Sequence, residues 1–405
     1  MGKLAILLIL GFSVIFLALG YNSMNVSTRA VENMVDYNAN TIAYNIAVSG
    51  ANMGANEIFM DNSWKTGFSD IEYEGGTLDV KVEVIDVARN WRKLTSTGKL
   101  GDIEKKVEVI FQPSKFSKFA YYSMDEGGTI WWTESDTVWG PFHTQDHLRA
   151  HNHPVFYGKA STGKSLIYYT DEASDAPYFN GGFSAAEDLP LPTDGLDPLS
   201  TSSQSDGLYL SGQDTVYLTF DSDSIKFRFS ALEKDSSLYL PSVASNGVIF
   251  VDNAVIRLKG TVKGQYTVAC SGTGNKGIIY LDDDIVYSQD PLTHPESTDL
   301  LGIVANNSVL ITDNGPNSSD ININASIYCE DGGFGADNYK KRGINGNINL
   351  IGGIIQHTRK AVGTFDGTGI TSGFAKRYKY DERFLLMSPP DFPGTGQLEI
   401  VSWFE

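Results

Sequence analysis

LAILLILGFSVIFLALG, residues 4–20, contains no charge and one polar side chain, Ser13, and follows a single cation, Lys3. As a helix rising about 1.5 Å per residue it is roughly 25 Å long, near the ~30 Å hydrocarbon thickness of a bilayer. Residues 1–20 therefore read as a transmembrane anchor or as a signal segment cut after Ala18-Leu19-Gly20. No proline occurs before Pro113, and Val26, Ala30, Val31, Met34, Val35, Ile42, Ala43, Ile46, Ala47 and Ala51 recur at helical spacing. The pattern predicts an extended amphipathic helix over residues 21–60, continuous with the anchor and roughly 85 Å long in all. Gly50, Ala51, Gly54 and Ala55 put small residues on neighbouring turns, a predicted helix-packing site.

Residues 61–64 break the helical pattern, and residues 61–115 read as a small antiparallel β region. TLDVKVEVIDV (77–87) and KKVEVIF (105–111) alternate apolar with charged residues, as strands with one wet face do. The stretch between them, around residues 95–101, reads as a polar connection. A long apolar helix feeding a small sheet resembles type IV pilins and pseudopilins. That resemblance covers about the first sixty residues and implies a half-helix held in the inner membrane and packed among similar subunits. The pilin pattern, a Gly, an aromatic and a Glu five residues into the mature chain, is met at Gly11-Phe12 and departs at Phe16.

Residues 116–405 show no sustained helical period. Short runs such as VYLTF (216–220), VIFV (248–251), YTVAC (266–270), IIYL (278–281), GIVA (302–305) and INLIGGIIQ (348–356) recur between polar turns, some apolar on both faces. This predicts a parallel β-helix-like body, with a β-sandwich as the alternative. Residues 170–206, rich in Asp, Ser, Pro and Gly, read as a long surface loop. The fold class is thus mainly β: a long N-terminal α-helix with a membrane-inserted half, a small antiparallel sheet, then the β-helix-like body. NIAVSGANMGANEIF, PVFYGKASTG, DLPLPTDG, GGIIQHTRKAVGTF and the PPDFPGTGQLEIVSWFE tail resemble an uncharacterised bacterial family of anchored envelope proteins. The resemblance implies location and architecture, and no activity.

Net charge is −18, from 49 acidic and 31 basic residues, so a phosphate-neutralising surface and a nucleic-acid partner are not expected. Cys270 and Cys329 are the only cysteines, and spacing leaves open a pair or two buried thiols. GKASTGKS (158–165) matches a phosphate-loop pattern, but LIYYTD follows it instead of a helix, so it reads as a turn between strands. His143, His147, His151 and His153 with Asp146 form a candidate metal group. Asp282-Asp283-Asp284 offers carboxylates at a strand end, yet no partner motif of a β-helix glycosidase accompanies it, leaving a solvated turn or a calcium site. Adjacent Trp131 and Trp132 must point to opposite faces if on a strand, so one of them is expected at the surface.

These readings converge on a structural, non-enzymatic envelope protein without a cofactor. It would act in filament or secretion-apparatus assembly or in surface adhesion, anchored by its membrane helix and partnered by self-association or other pilin-like subunits. The alternative is an exported carbohydrate-binding or carbohydrate-cleaving β-helix, with surface glycans as partners.

Overall fold

A computed structural model describes all residues except Met1, Ala88, Arg89, Ser135, residues 192–194, Gly367 and Thr368. The chain divides into two compact units, residues 1–114 with 396–405 and residues 115–395. It is mainly β, with one long helix, a small sheet and a large, mostly parallel sheet.

In the first unit a single helix runs unbroken over Gly2–Met60. Its C-terminal part buries Ala43, Ile46, Ala47, Gly50, Ala51, Gly54, Ala55 and Ile58, one stripe at three- and four-residue intervals. That stripe packs on a five-stranded sheet of Phe68–Tyr73, Gly76–Asp86, Trp91–Leu100, Ile103–Lys115 and Gly394–Phe404, in that order. Leu78, Val80, Leu94, Val107, Val109, Phe111 and Leu398 supply the sheet side of the core. Trp91–Leu100 stands where the sequence predicted a connection. Its inward residues are Arg92, Leu94, Ser96 and Gly98, and the last two are small where the helix lies close against them. A Cβ on Gly98 would meet Ala43 O and, at 2.5 Å, Ala47 N.

The sheet order makes the second unit an insertion between two adjacent strands, Ile103–Lys115 and Gly394–Phe404. Its strands wind in parallel coils, as expected of a β-helix-like body, but not in chain order. Along one face Leu208–Leu210 pairs Val248–Val251, which pairs Gln265–Cys270, then Leu300–Ala305, Ile321–Cys329 and Ile344–Thr358. The run continues without a break into Tyr121–Asp125, Phe142–Thr144, Ala160–Thr162 and Phe183–Ala185. The first coils of the unit are thus stacked on its last ones, and Ile354 pairs with Tyr121. A second seam contact joins Gly369–Lys379 to Thr137–Trp139.

Phe183–Ala185 and Leu208–Leu210, consecutive strands in the chain, stand at opposite ends of this run. The predicted surface loop, residues 170–206, is not all loop: Tyr178–Phe179 and Phe183–Ala185 are strands of the sheet, and Asp197–Asp206 is a ten-residue helix. Leu191, Leu196 and Leu199 share a cluster with Phe250, Ala269, Val304, Tyr328, Ile355 and Tyr122. The inward column on the same strands, Ile249, Val268, Ile303, Ile327, Ile354 and Tyr121, belongs to the main core. Both faces of these strands are covered, which is why their sequences are apolar without alternation. Residues 192–194, within the DLPLPTDG stretch, lie outside the described residues.

Cys270 and Cys329 are free and buried. Each is in register with Ala305, from opposite sides. Two strand spacings, roughly 10 Å, separate them, beyond the reach of a disulfide.

Candidate functional site

A groove of about 800 Å³ lies in the second unit at the seam between first and last coils. Residues 129–134 of the first coil form one side of it, and residues 359–366, leading into the hairpin strand Gly363–Asp366, form another. The Trp131-Trp132 pair splits as strand geometry requires: Trp132 is buried in the core, and Trp131 is half-buried in the groove. Tyr169 meets Trp131 edge-on, with ring centroids 5.1 Å apart, and His151 meets Tyr169 at 4.6 Å.

Charges lie at the floor. Arg359 Nη1 donates to Glu126 Oε2 at 2.8 Å, and Lys376 Nζ to Asp136 Oδ2 at 2.7 Å; all four residues are buried. Both pairs tie a residue of the first coil to one of the last. Glu126 is fully engaged, accepting also from Tyr121, Ser123 and Trp132 Nε1. Arg359 stacks on Trp132, its Cζ 4.1 Å from the ring centroid, while its Nη2 has no hydrogen-bond partner. Burial would lower the Arg359 pKa, but the charges of Glu126, Tyr121 and Asp136 with the Glu126 hydrogen bond together outweigh it, and the net shift is upward. For Lys376 burial dominates and holds the ammonium below its usual value. Removing one member of such a pair typically costs about 3–5 kcal/mol, so the floor is rigid as well as charged.

The candidate metal group is dispersed. His143 Nδ1 lies 2.8 Å from Ser161 Oγ, His147 Nδ1 2.9 Å from Ser165 Oγ, and His153 Nδ1 donates to Ala176 O at 2.8 Å. His151 packs on Tyr169, and Asp146 accepts from Arg149 and Lys164. Among the described residues no three His, Cys, Asp or Glu side chains converge in a way that could hold a metal ion. The small helix residues are also accounted for differently: Gly50 and Gly54 face Val80, Leu78, Ser96 and Leu94 of the chain's own sheet. That close approach, expected against another helix, occurs against a strand.

The remaining motifs are structural. Ala160–Thr162 within GKASTGKS is a strand, and Lys164 bonds Asp146 at 2.8 Å. Asp282 takes Arg257 and Thr312, and Asp284 takes the backbone and side-chain amides of Asn322, so the acidic run links successive coils. Arg359 and Lys376 received no role from the sequence, since nothing local marks a residue whose partner stands more than two hundred positions away.

The other feature with functional content is the helix itself. Every residue from 2 to 38 is exposed, and this is the one helix among the described residues long and apolar enough to cross a membrane. The class defined so far is a long apolar helix on a small sheet with a coiled, mostly parallel β unit inserted in it. No known protein family matches the sequence, and no curated protein does. The chain is similar to the crystal structure of the competence-associated pilin ComZ from Thermus thermophilus, at 13% identity and a TM-score of 0.38, over 90% of this chain and 97% of that one.

Proposed function

We propose that this chain is a membrane-anchored structural subunit of the bacterial envelope, pilin-like in its mode of action and not an enzyme. The observation that carries the reading is the complete exposure of helix residues 2–38. An isolated helix of this kind gains little from its own hydrogen bonds and needs a partner for its apolar surface. Residues 4–20 find that partner in the bilayer, with Lys3 on the cytoplasmic side and the β units outside the cytoplasm. Residues 21–38 extend roughly 27 Å further and find theirs in neighbouring helices. At 100° per residue, Arg29, Glu32 and Asp36 fall within about 60° of the circumference, leaving a wide uncharged arc with Val26, Val31, Met34 and Val35.

Membrane partition tests this. The full chain is expected to stay in the membrane fraction through high salt and alkaline carbonate and to need detergent for release. A variant lacking residues 1–38 is expected in the soluble fraction. Recovery of the full chain as a soluble protein without detergent contradicts the anchor.

A further inference from the structure

The two buried ion pairs at the seam differ in what their chemistry permits. A guanidinium does not give up its proton in a protein, so Arg359 and Glu126 stay an ion pair. A lysine amine taken out of water is a nucleophile, and Lys376 stands beside a carboxyl group. We propose that Lys376 and Asp136 join in an intramolecular isopeptide bond, a covalent clasp between the first and last coils; this inference is independent of the anchoring role above.

Three observations select this pair. Lys376 Nζ lies 2.7 Å from Asp136 Oδ2, and the two side chains are 8% and 1% exposed. Among the described residues no other lysine–carboxylate pair is buried on both sides; Lys164, which meets Asp146 at 2.8 Å, keeps a side chain 56% exposed. Next, Lys376 Nζ faces two aromatic rings, 5.2 Å from the Trp132 centroid and 5.6 Å from that of Phe365, and Asp136 is its one acceptor among the described residues. An ammonium has three protons to place there, whereas amide formation removes two of them and both charges. Finally, the Thr133 N–H donates to the same Oδ2 at 3.1 Å and draws electron density from the carboxyl carbon. Burial, which holds the Lys376 ammonium below its usual value, brings the neutral amine within reach.

The step balances without a co-reactant. One proton passes from Nζ to Oδ2 along their hydrogen bond, leaving an amine and a carboxylic acid. The Nζ lone pair attacks Cγ, the Cγ–Nζ bond forms, and the Cγ–Oδ2 bond breaks with its electron pair going to oxygen. Oδ2 takes a second proton from Nζ and leaves as water, while Oδ1 remains as the amide carbonyl. Lys376 lines the seam groove, which gives that water a way out. Two reactants fixed in one dry site replace a bimolecular encounter, and a buried amide costs less than two buried charges.

Tryptic mapping of the denatured, detergent-solubilised full chain tests this. Expected is a peptide in which residues 119–149 are joined to residues 361–377, lighter by one water than the two alone and uncut after Lys376. The link ties residues 240 positions apart, so the wild-type chain is also expected to run faster in a denaturing gel than Lys376→Arg, which cannot form the amide. Recovery of residues 119–149 and 361–376 as separate peptides from the wild-type protein overturns the proposal, whether or not the variant folds. A deficit of one water that persists in Lys376→Arg also overturns it, because the dehydration then lies at another aspartate.

Discussion

Asp146 is a buried carboxylate held by two cations, Arg149 Nη1 at 3.0 Å and Lys164 Nζ at 2.8 Å. Burial opposes its charge, but the hydrogen bonds from Lys164 and Arg149 prevail and hold the carboxyl well below the usual range. His143, on the same coil, is shifted down chiefly by burial. Both shifts act in one direction. The stability from Asp146 is complete above the unfolded carboxylate value near 3.9 and is lost as pH falls toward the lower folded value; loss from His143 begins below about 6.5. Denaturant midpoints of the full chain are therefore expected to fall between pH 7 and 5, and again below pH 4. Asp146→Asn is expected to flatten the second fall and leave the first; an unchanged slope below pH 4 contradicts this role. The histidine spacing suggested a metal because partners were sought nearby. In this coil His143 and His147 each meet a serine eighteen positions later, one coil on.

Among the elements, the helix was legible throughout, because seventeen apolar residues followed by a proline-free periodic stretch admit no other local structure. The strand Trp91–Leu100 was not, because the face it turns inward carries Ser96 and Gly98 in place of bulky residues. Close approach of the helix backbone requires that choice, and polarity then disguises a strand as a loop. The same contact gives a ranking of variants. Gly98→Val places atoms against Ala43 O and Ala47 N, which cannot move without moving the helix, and is expected to destabilise the first unit by about 1–3 kcal/mol or more. Gly54→Ala meets only the side-chain ends of Leu94, at 2.6 Å, and Val80, at 2.9 Å, and adds helix propensity of about 1 kcal/mol, so a smaller net effect is expected. Hydrogen exchange over residues 43–58 checks the order; equal protection in the two variants contradicts it.

For the whole molecule, the sequence carried the mainly β character of residues 116–405 but not the chain path. Apolar runs report that a strand is covered on both faces, and nothing in them says which coil lies next. The stacking of Tyr121–Asp125 on Ile344–Thr358 and the groove at that seam both rest on pairings between distant segments. The insertion of the whole coiled unit between neighbouring strands of the small sheet was hidden for the same reason. Sequence and structure alike give a helix that is long and apolar enough to cross a membrane and exposed over residues 2–38; the proposal is that the molecule is held through this surface. Single cysteines at Val31 and Met34, with Glu32→Cys and Asp36→Cys as polar-face controls, test this by cross-linking in intact cells. The native thiols are buried and pushed up to about 12, so they stay silent. Cross-linked dimers and higher species are expected from Val31→Cys and Met34→Cys and far fewer from the two controls; monomers at all four positions, or a soluble protein whose first residue is Tyr21, would contradict the account.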